Sequence, residues 1–261
     1  MTHHTHPTLL ERFDLALIGA GGSGSQMLIC LARLHHAMVA LGHPGFGVTV
    51  FDPDTVSEAN IGRQMFSPVD VGQAKADVLT YRVNVFFGLA WNARAERFGA
   101  NPNRYDAEAL NIVCVDSRAA RREIRQHVTA ATARNGLTYV MDLGNRASDG
   151  QVILGQIGRH RNTTPRAAGH VDLPDPYTLL PALVSTKGRE DTAPSCSLAE
   201  ALARQELFVN DDVVRAGAVI LWNLLRRGQL DWHGAFVNCS TGRRTPIAVD
   251  PAGWERMKEK T

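Results

Sequence analysis

The residues best suited to chemistry begin with the run G-A-G-G-S-G, Gly19 to Gly24, at the end of the apolar stretch DLALI. Gly19 allows a tight turn off a strand. Gly21 and Gly22 let the backbone approach a phosphate, and Gly24 lets the next helix pack close to the sheet. The unpaired N–H groups and positive dipole end of that helix would hold an anion. Asp52, which ends VTVFD, is placed to take a ribose hydroxyl pair. On these residues alone NAD and ATP fit equally well.

The next residues separate the two. FDPDTVSEANIGRQMF supplies Asn60, Arg63 and Gln64, and VGQAKADVL supplies Lys75. Two cations beside a phosphate cradle suit a triphosphate, whereas a nicotinamide dinucleotide carries only a pyrophosphate bridge. Asp116 ends NIVCVD and should face the same crevice, where an acid can hold Mg²⁺ beside phosphates. Taken singly, each has a plainer reading. Arg63 and Lys75 would be solvated charges, Asn60 a turn cap, and Asp116 the cap of a helix near Arg118. Their joint placement on one crevice favours function.

Positioning these residues requires alternating strands and helices. Strands are expected at 14–19, 48–52, 111–116, 138–144 and 151–158. Helices are expected from Ser23 to about Leu41, over 74–88, and from Ser117 to the closing Gly136. The pattern is that of an α/β, Rossmann-like, mostly parallel and doubly wound sheet, with helices on both faces. HHAMVALGHPGFG, after the first helix, reads as a long loop. Residues 159–197 carry Pro, Thr, Gly and charge with little periodicity, and a loop of that length is often functional. Helices are then expected in SLAEALARQELF and, with Asn210 as N-cap, in NDDVVRAGAVILWNLLRRGQL. GAFVNCS and RTPIAV form a closing hairpin, an antiparallel C-terminal extension of the sheet.

The chain has 261 residues, 44% hydrophobic and 21% charged, with a formal net charge of +2. That charge argues against a broad nucleic-acid footprint. No apolar run reaches the roughly 20 residues of a membrane helix. The cysteines Cys30, Cys114, Cys196 and Cys239 form no CxxC pair, which fits a reducing cytoplasm and predicts no zinc. MTHHTHPTLLERF reads as a frayed, solvated tail.

The glycine loop, the D-x-D-x-V-x-x-x-N-x-x-R-Q segment, the V-G-x-x-K element and the strand ending in Asp116 resemble the ThiF/MoeB and ubiquitin-activating-enzyme superfamily. Order and spacing agree over about residues 14–145. PSCSLAEAL and RQELFVN resemble the ThiF-type protein of the PRTRC gene systems. The resemblance implies a single adenylyltransferase domain over 1–261, with 14–145 as its nucleotide-binding part and 146–261 as crossover segment, helix and closing hairpin. ATP and Mg²⁺ would be the cofactors, the C-terminal carboxylate of a ubiquitin-like protein the substrate, and a homodimer the assembly. Asp52 would bind the ribose. Asn60, Arg63, Gln64 and Lys75 would line the phosphate path, and Asp116 would hold magnesium. Segment 159–197 would guide the partner's tail.

Some members form a thioester on a cysteine beyond the nucleotide site. Cys196, before an expected helix start, has a setting that would activate a thiolate, though it reads equally well as a packed core residue. The family's bacterial members often carry two CxxC pairs, absent here. Many carry an arginine-bearing N-terminal helix; here only Arg12 precedes the first strand. An NAD(P)-dependent oxidoreductase and a non-catalytic nucleotide-binding scaffold are the alternatives.

Overall fold

The computed structural model describes residues 1–101, 104–158, 169–187 and 205–258. Five strands run parallel: β2 (Phe13–Ile18), β3 (Phe46–Phe51), β4 (Asn92–Arg94), β5 (Leu110–Val113) and β6 (Leu137–Asn145). β7 (Asp149–Gly158), β9 (Trp232–Asn238) and β10 (Arg243–Ala248) extend the sheet antiparallel. The eight-stranded order is β10-β9-β7-β6-β5-β2-β3-β4. From β2 the chain winds outward through β3 and β4, then returns to β5 on the other side. The crevice beyond the carboxyl ends of β2 and β5 is therefore the switch point at which open α/β sheets bind ligands.

Alternation along the strands explains the two covered faces. Leu15 and Leu17 of β2 register with Val48 and Val50 of β3 and with Leu110 and Ile112 of β5. All six point into the larger core. That core is covered by α1 (Gly22–Ala40), α2 (Lys75–Phe87) and, from the C-terminal half, α5 (Val209–Arg227). Ala16 and Ile18 face the other way, against Ile124 and Val128 of α3 (Arg118–Asn135). Tyr177 of the short α4 (Pro176–Leu179) joins this second core. The last helix, α6 (Pro251–Lys258), sets Trp254 edge-on against His233.

Several local expectations are overturned. The N-terminal stretch is not a solvated tail: β1 (His3–His4) pairs antiparallel with β8 (Gln229–Leu230). His3 is fully buried, with Nδ1 2.8 Å from the Val171 carbonyl and Nε2 2.8 Å from the Tyr139 hydroxyl. Both ring nitrogens are satisfied by the neutral imidazole, which is why so polar a segment can be buried. The expected loop at 35–47 shrinks to 41–45, because α1 runs to Ala40, close to the helix end expected near Leu41, and β3 already begins at Phe46. Asn210 is not the N-cap of α5. Phe208 holds that position, and the Asn210 side chain is used elsewhere. The strand expected over 111–116 stops at Val113. The helix expected over 197–208 lies mostly outside the described residues, and its described end, 205–208, is a turn.

Burial holds the pKa of His3 at about 4 and that of His233, also fully buried, at about 4. Below its ordinary pKa of 6.5 each imidazole binds a proton in the unfolded chain but not in the folded one. Their contribution to stability is therefore complete above pH 6.5 and lost as the pH falls toward 4. Around His3 the charge of Asp172 opposes this shift, while His170 and His233 reinforce it. Urea midpoints should fall steeply between pH 6.5 and 4, by roughly a few kcal/mol in total. A flat profile across that window would show that these rings are not buried neutral.

Candidate functional site

The glycine loop joins β2 to α1, and its four glycines meet different constraints. Gly19 has φ +96°, and a Cβ there would lie 2.8 Å from the Cys114 carbonyl oxygen, at the end of β5. A Cβ on Gly24 would lie 1.9 Å from the Gly19 carbonyl oxygen, so this glycine does let the helix close onto the strand. Gly21 and Gly22, expected to share one task, differ. A Cβ on Gly21 would meet only the Gln64 Nε2, at 4.0 Å, so this position opens onto the crevice. A Cβ on Gly22 would collide at 2.6 Å with the Asn210 Nδ2. Gly21 is the N-cap of α1 and offers no side chain to the first-turn N–H groups, which leaves them for an anion.

Asp52 is 5% exposed. Its Oδ2 accepts the Ala20 N–H at 2.6 Å, inside the glycine loop, and its Oδ1 accepts the Asp54 N–H at 2.8 Å. Burial raises its pKa, against the two N–H groups and the Lys75 charge, which lower it. The relay continues from Asp54 to Lys75, whose Nζ lies 3.2 Å from Asp54 Oδ2. Lys75 is 8% exposed and is the first residue of α2. A buried cation at the positive end of a helix is electrostatically misplaced for stability. An anion in the crevice would offset that cost, and Asp54, with a side chain 65% exposed, offsets only part of it.

Asn60 is buried, and its Oδ1 accepts the Ser57 N–H at 2.9 Å. The turn-capping role is thus present, and it leaves the amide nitrogen as the group able to donate to a phosphate. Arg63 Nη1 donates to Gln205 Oε1 at 3.0 Å, while its Nε is buried with no hydrogen-bond partner among the described residues. The Gln64 Oε1 is buried and unpaired in the same way. Two orphaned polar atoms on adjacent residues, with the Gln64 amide facing Gly21, mark a polar site still short of partners. The 64–65 segment is pinned over α1, where the Met65 N–H donates to Ser25 Oγ at 3.4 Å.

Asp116 is exposed. It stands two residues beyond Cys114, whose carbonyl lies against Gly19, and immediately before Ser117, the residue that caps α3 by accepting the Ala120 N–H at 3.1 Å. The alternative cap role therefore belongs to Ser117, and the Asp116 carboxylate remains at the crevice end of β5. Among the described residues no three His, Cys, Asp or Glu side chains gather as a metal set. A cation at Asp116 would draw its other oxygens from phosphate and water, the usual manner for Mg²⁺. Cys196 lies outside the described residues, as do 159–168 and 188–197 of the segment 159–197. Burial raises the thiol pKa of both Cys30 and Cys114, as suits core cysteines.

The sequence reading missed three features of this region. Asn210, 5% exposed, accepts the Ser23 hydroxyl on Oδ1 at 2.9 Å. Gln205 links Arg63 to the Arg146 carbonyl. Behind Asp116 the buried Asp142 carboxylate accepts Arg121 Nε at 2.9 Å and the Tyr177 hydroxyl at 3.1 Å. Arg121 also donates to the Leu143 and Asp116 carbonyls. The only local signal was an uncharged Asn ahead of two acids in N-D-D, and a cap explained it.

Solved structures with this fold include MccB from E. coli, 13% identical, with 92% of this chain covering 63% of that one at a TM-score of 0.56. MccB solved with ATP matches with 15% identity, 92% and 64% coverage and a TM-score of 0.54. PaaA matches with 14% identity, 93% and 74% coverage and a TM-score of 0.57. The chain thus spans under two thirds of the length of MccB. No curated protein matches the sequence. The ThiF family model matches residues 7–204, taking in the glycine loop, Asp52, the Asn60–Lys75 segment and Asp116. The chain belongs to the ThiF family.

Proposed function

We propose that this chain is an ATP- and Mg²⁺-dependent adenylyltransferase that activates the C-terminal carboxylate of a ubiquitin-like protein. The observations that carry the reading are the relay from the Ala20 N–H through Asp52 and Asp54 to the buried Lys75 and, on the Gly21 side of the same loop, the Gln64 amide. The neighbours lend support in kind: MccB has been solved with ATP and, as a microcin C7 biosynthetic enzyme, with N-formylated MccA.

Asp52 would take the ribose hydroxyls, and the first turn of α1 would face the phosphates. The substrate carboxylate is ionised near neutral pH, so it needs no general base. One of its oxygens bonds to the α-phosphorus, the α–β bridging P–O bond breaks, and pyrophosphate leaves with the bond's electron pair. Arg63, Lys75 and the amides of Asn60 and Gln64 would stabilise the charge on the transferring and leaving phosphates. Mg²⁺ held at Asp116 would supply further neutralisation. Cys196 is a candidate for a later thioester.

We further propose one domain over 1–261, of the PRTRC-system type, acting as a cytoplasmic homodimer. Support for a second copy comes from α2 and the preceding loop, where Val69, Tyr81, Val85 and Phe86 are 67–80% exposed. Three of them, Tyr81, Val85 and Phe86, line an open groove of about 530 Å³, and exposed apolar faces of this kind mark association surfaces.

ATP–pyrophosphate exchange tests the reading. Exchange that requires both Mg²⁺ and a ubiquitin-like partner is the expected result. ATP binding without exchange would point to a scaffold, and preference for NADH over ATP would overturn both.

A further inference from the structure

The start of α5 reaches across the whole chain to the glycine loop, and it lies beyond the family match, which ends at residue 204. Asn210 Oδ1 accepts the Ser23 hydroxyl at 2.9 Å. Its Nδ2 stands where a side chain on Gly22 would be. The next residue, Asp211, accepts Gln26 Nε2 at 2.8 Å, one turn further along α1. The second acid, Asp212, turns away toward Arg244, at 3.9 Å, and Cys239, at 3.5 Å. Of the three polar residues in this run, the two carboxylates engage groups outside the loop, and the one against Gly22 is an uncharged amide. An aspartate has nearly the same shape and would keep the Ser23 hydrogen bond, at the cost of burying a charge at a position 5% exposed. A carboxylate there would also repel an anion held on the first turn of α1.

We propose that Asn210 is a positioning residue of the nucleotide site. It fixes the first turn of α1 through Ser23 and keeps the wall beside Gly22 uncharged for a nucleoside triphosphate. Gly22 is then glycine chiefly to admit this amide, and Gly21 is glycine to admit the phosphate. The inference rests on the ATP reading above.

Titration calorimetry with ATP and with adenosine, on the full chain, separates this role from plain packing. Asn210→Asp should weaken ATP by about tenfold or more, as like charges brought together do. Adenosine, which carries no phosphate, should bind within about twofold of wild type. ATP binding equal to wild type, or equal losses for both ligands, would overturn the proposal. Ser23→Ala keeps it testable if Asn210→Asp folds poorly. Loss of the hydroxyl should weaken ATP about threefold to fivefold and leave adenosine alone, and unchanged ATP binding would count against it. A wild-type protein that binds no ATP would bring down the nucleotide reading itself, and this inference with it, before any variant is compared.

Discussion

Lys75→Ala is expected to slow ATP–pyrophosphate exchange by about 10²–10³-fold, the usual cost of removing one preorganised group from a developing charge. It should do so while leaving the melting temperature within about 2 °C of wild type. The two halves of this expectation come from one geometry. The ammonium is nearly buried, yet its partner Asp54 is largely solvated, so the pair is worth at most about 1 kcal/mol to the fold. Against that stands the positive end of α2, where a cation costs about 0.3–1 kcal/mol. The two nearly cancel, and the fold gains little from a lysine at this position. In the proposed site it would be a charge tied through Asp54 and Asp52 to the glycine loop. Exchange assays and thermal melts on the same preparations check both halves. Wild-type exchange would remove Lys75 from the phosphate path. A large fall in melting temperature would make it a structural residue.

Asp142→Ala should have the opposite profile and destabilise the protein by about 3–5 kcal/mol, measured as a shift in the urea midpoint. Asp142 is fully buried and Arg121 is 5% exposed. Removing the carboxylate strands the guanidinium in the interior and takes the acceptor from the Tyr177 hydroxyl. Burial, reinforced by the Asp142 charge, pushes that phenol well above its ordinary pKa, so Tyr177 stays a neutral donor. The cost comes from the orphaned charge, not from the pair's net worth. The double variant Arg121→Met, Asp142→Leu should therefore be less destabilised than Asp142→Ala alone. A double variant as unstable as the sum of its parts would refute the coupling. Because Arg121 also donates to the Asp116 carbonyl, the single variant should disturb the crevice end of β5 as well.

Much of this architecture was legible residue by residue. Four of the five parallel strands and the helices between them followed from apolar runs and 3.6-residue spacing, because those patterns record which face of each element is buried; β4, three residues with no apolar run, was not expected. The glycine loop could be placed because a tight strand–turn–helix needs small residues at fixed offsets. The errors share a cause. His3 and Asn210 were read by what is typical of polar residues near a terminus or a helix start. Their true settings depend on Tyr139 and Val171 in one case and on Ser23 in the other. No local rule carries that information.

The amino-acid sequence by itself determined the order of four parallel strands and the helices between them, the two covered faces of the sheet and the place of the glycine loop at the end of β2. Each of these follows from short-range periodicity and backbone sterics. The tertiary structure alone decided which polar groups face one another across that frame. Ser23 meets Asn210 over a separation of 187 residues, Arg63 meets Gln205 over 142, and Arg121 finds Asp142 in the next strand. Such pairings are set by the path of the chain and by the need to satisfy each buried donor and acceptor, and that need can be met only once all the elements have come together.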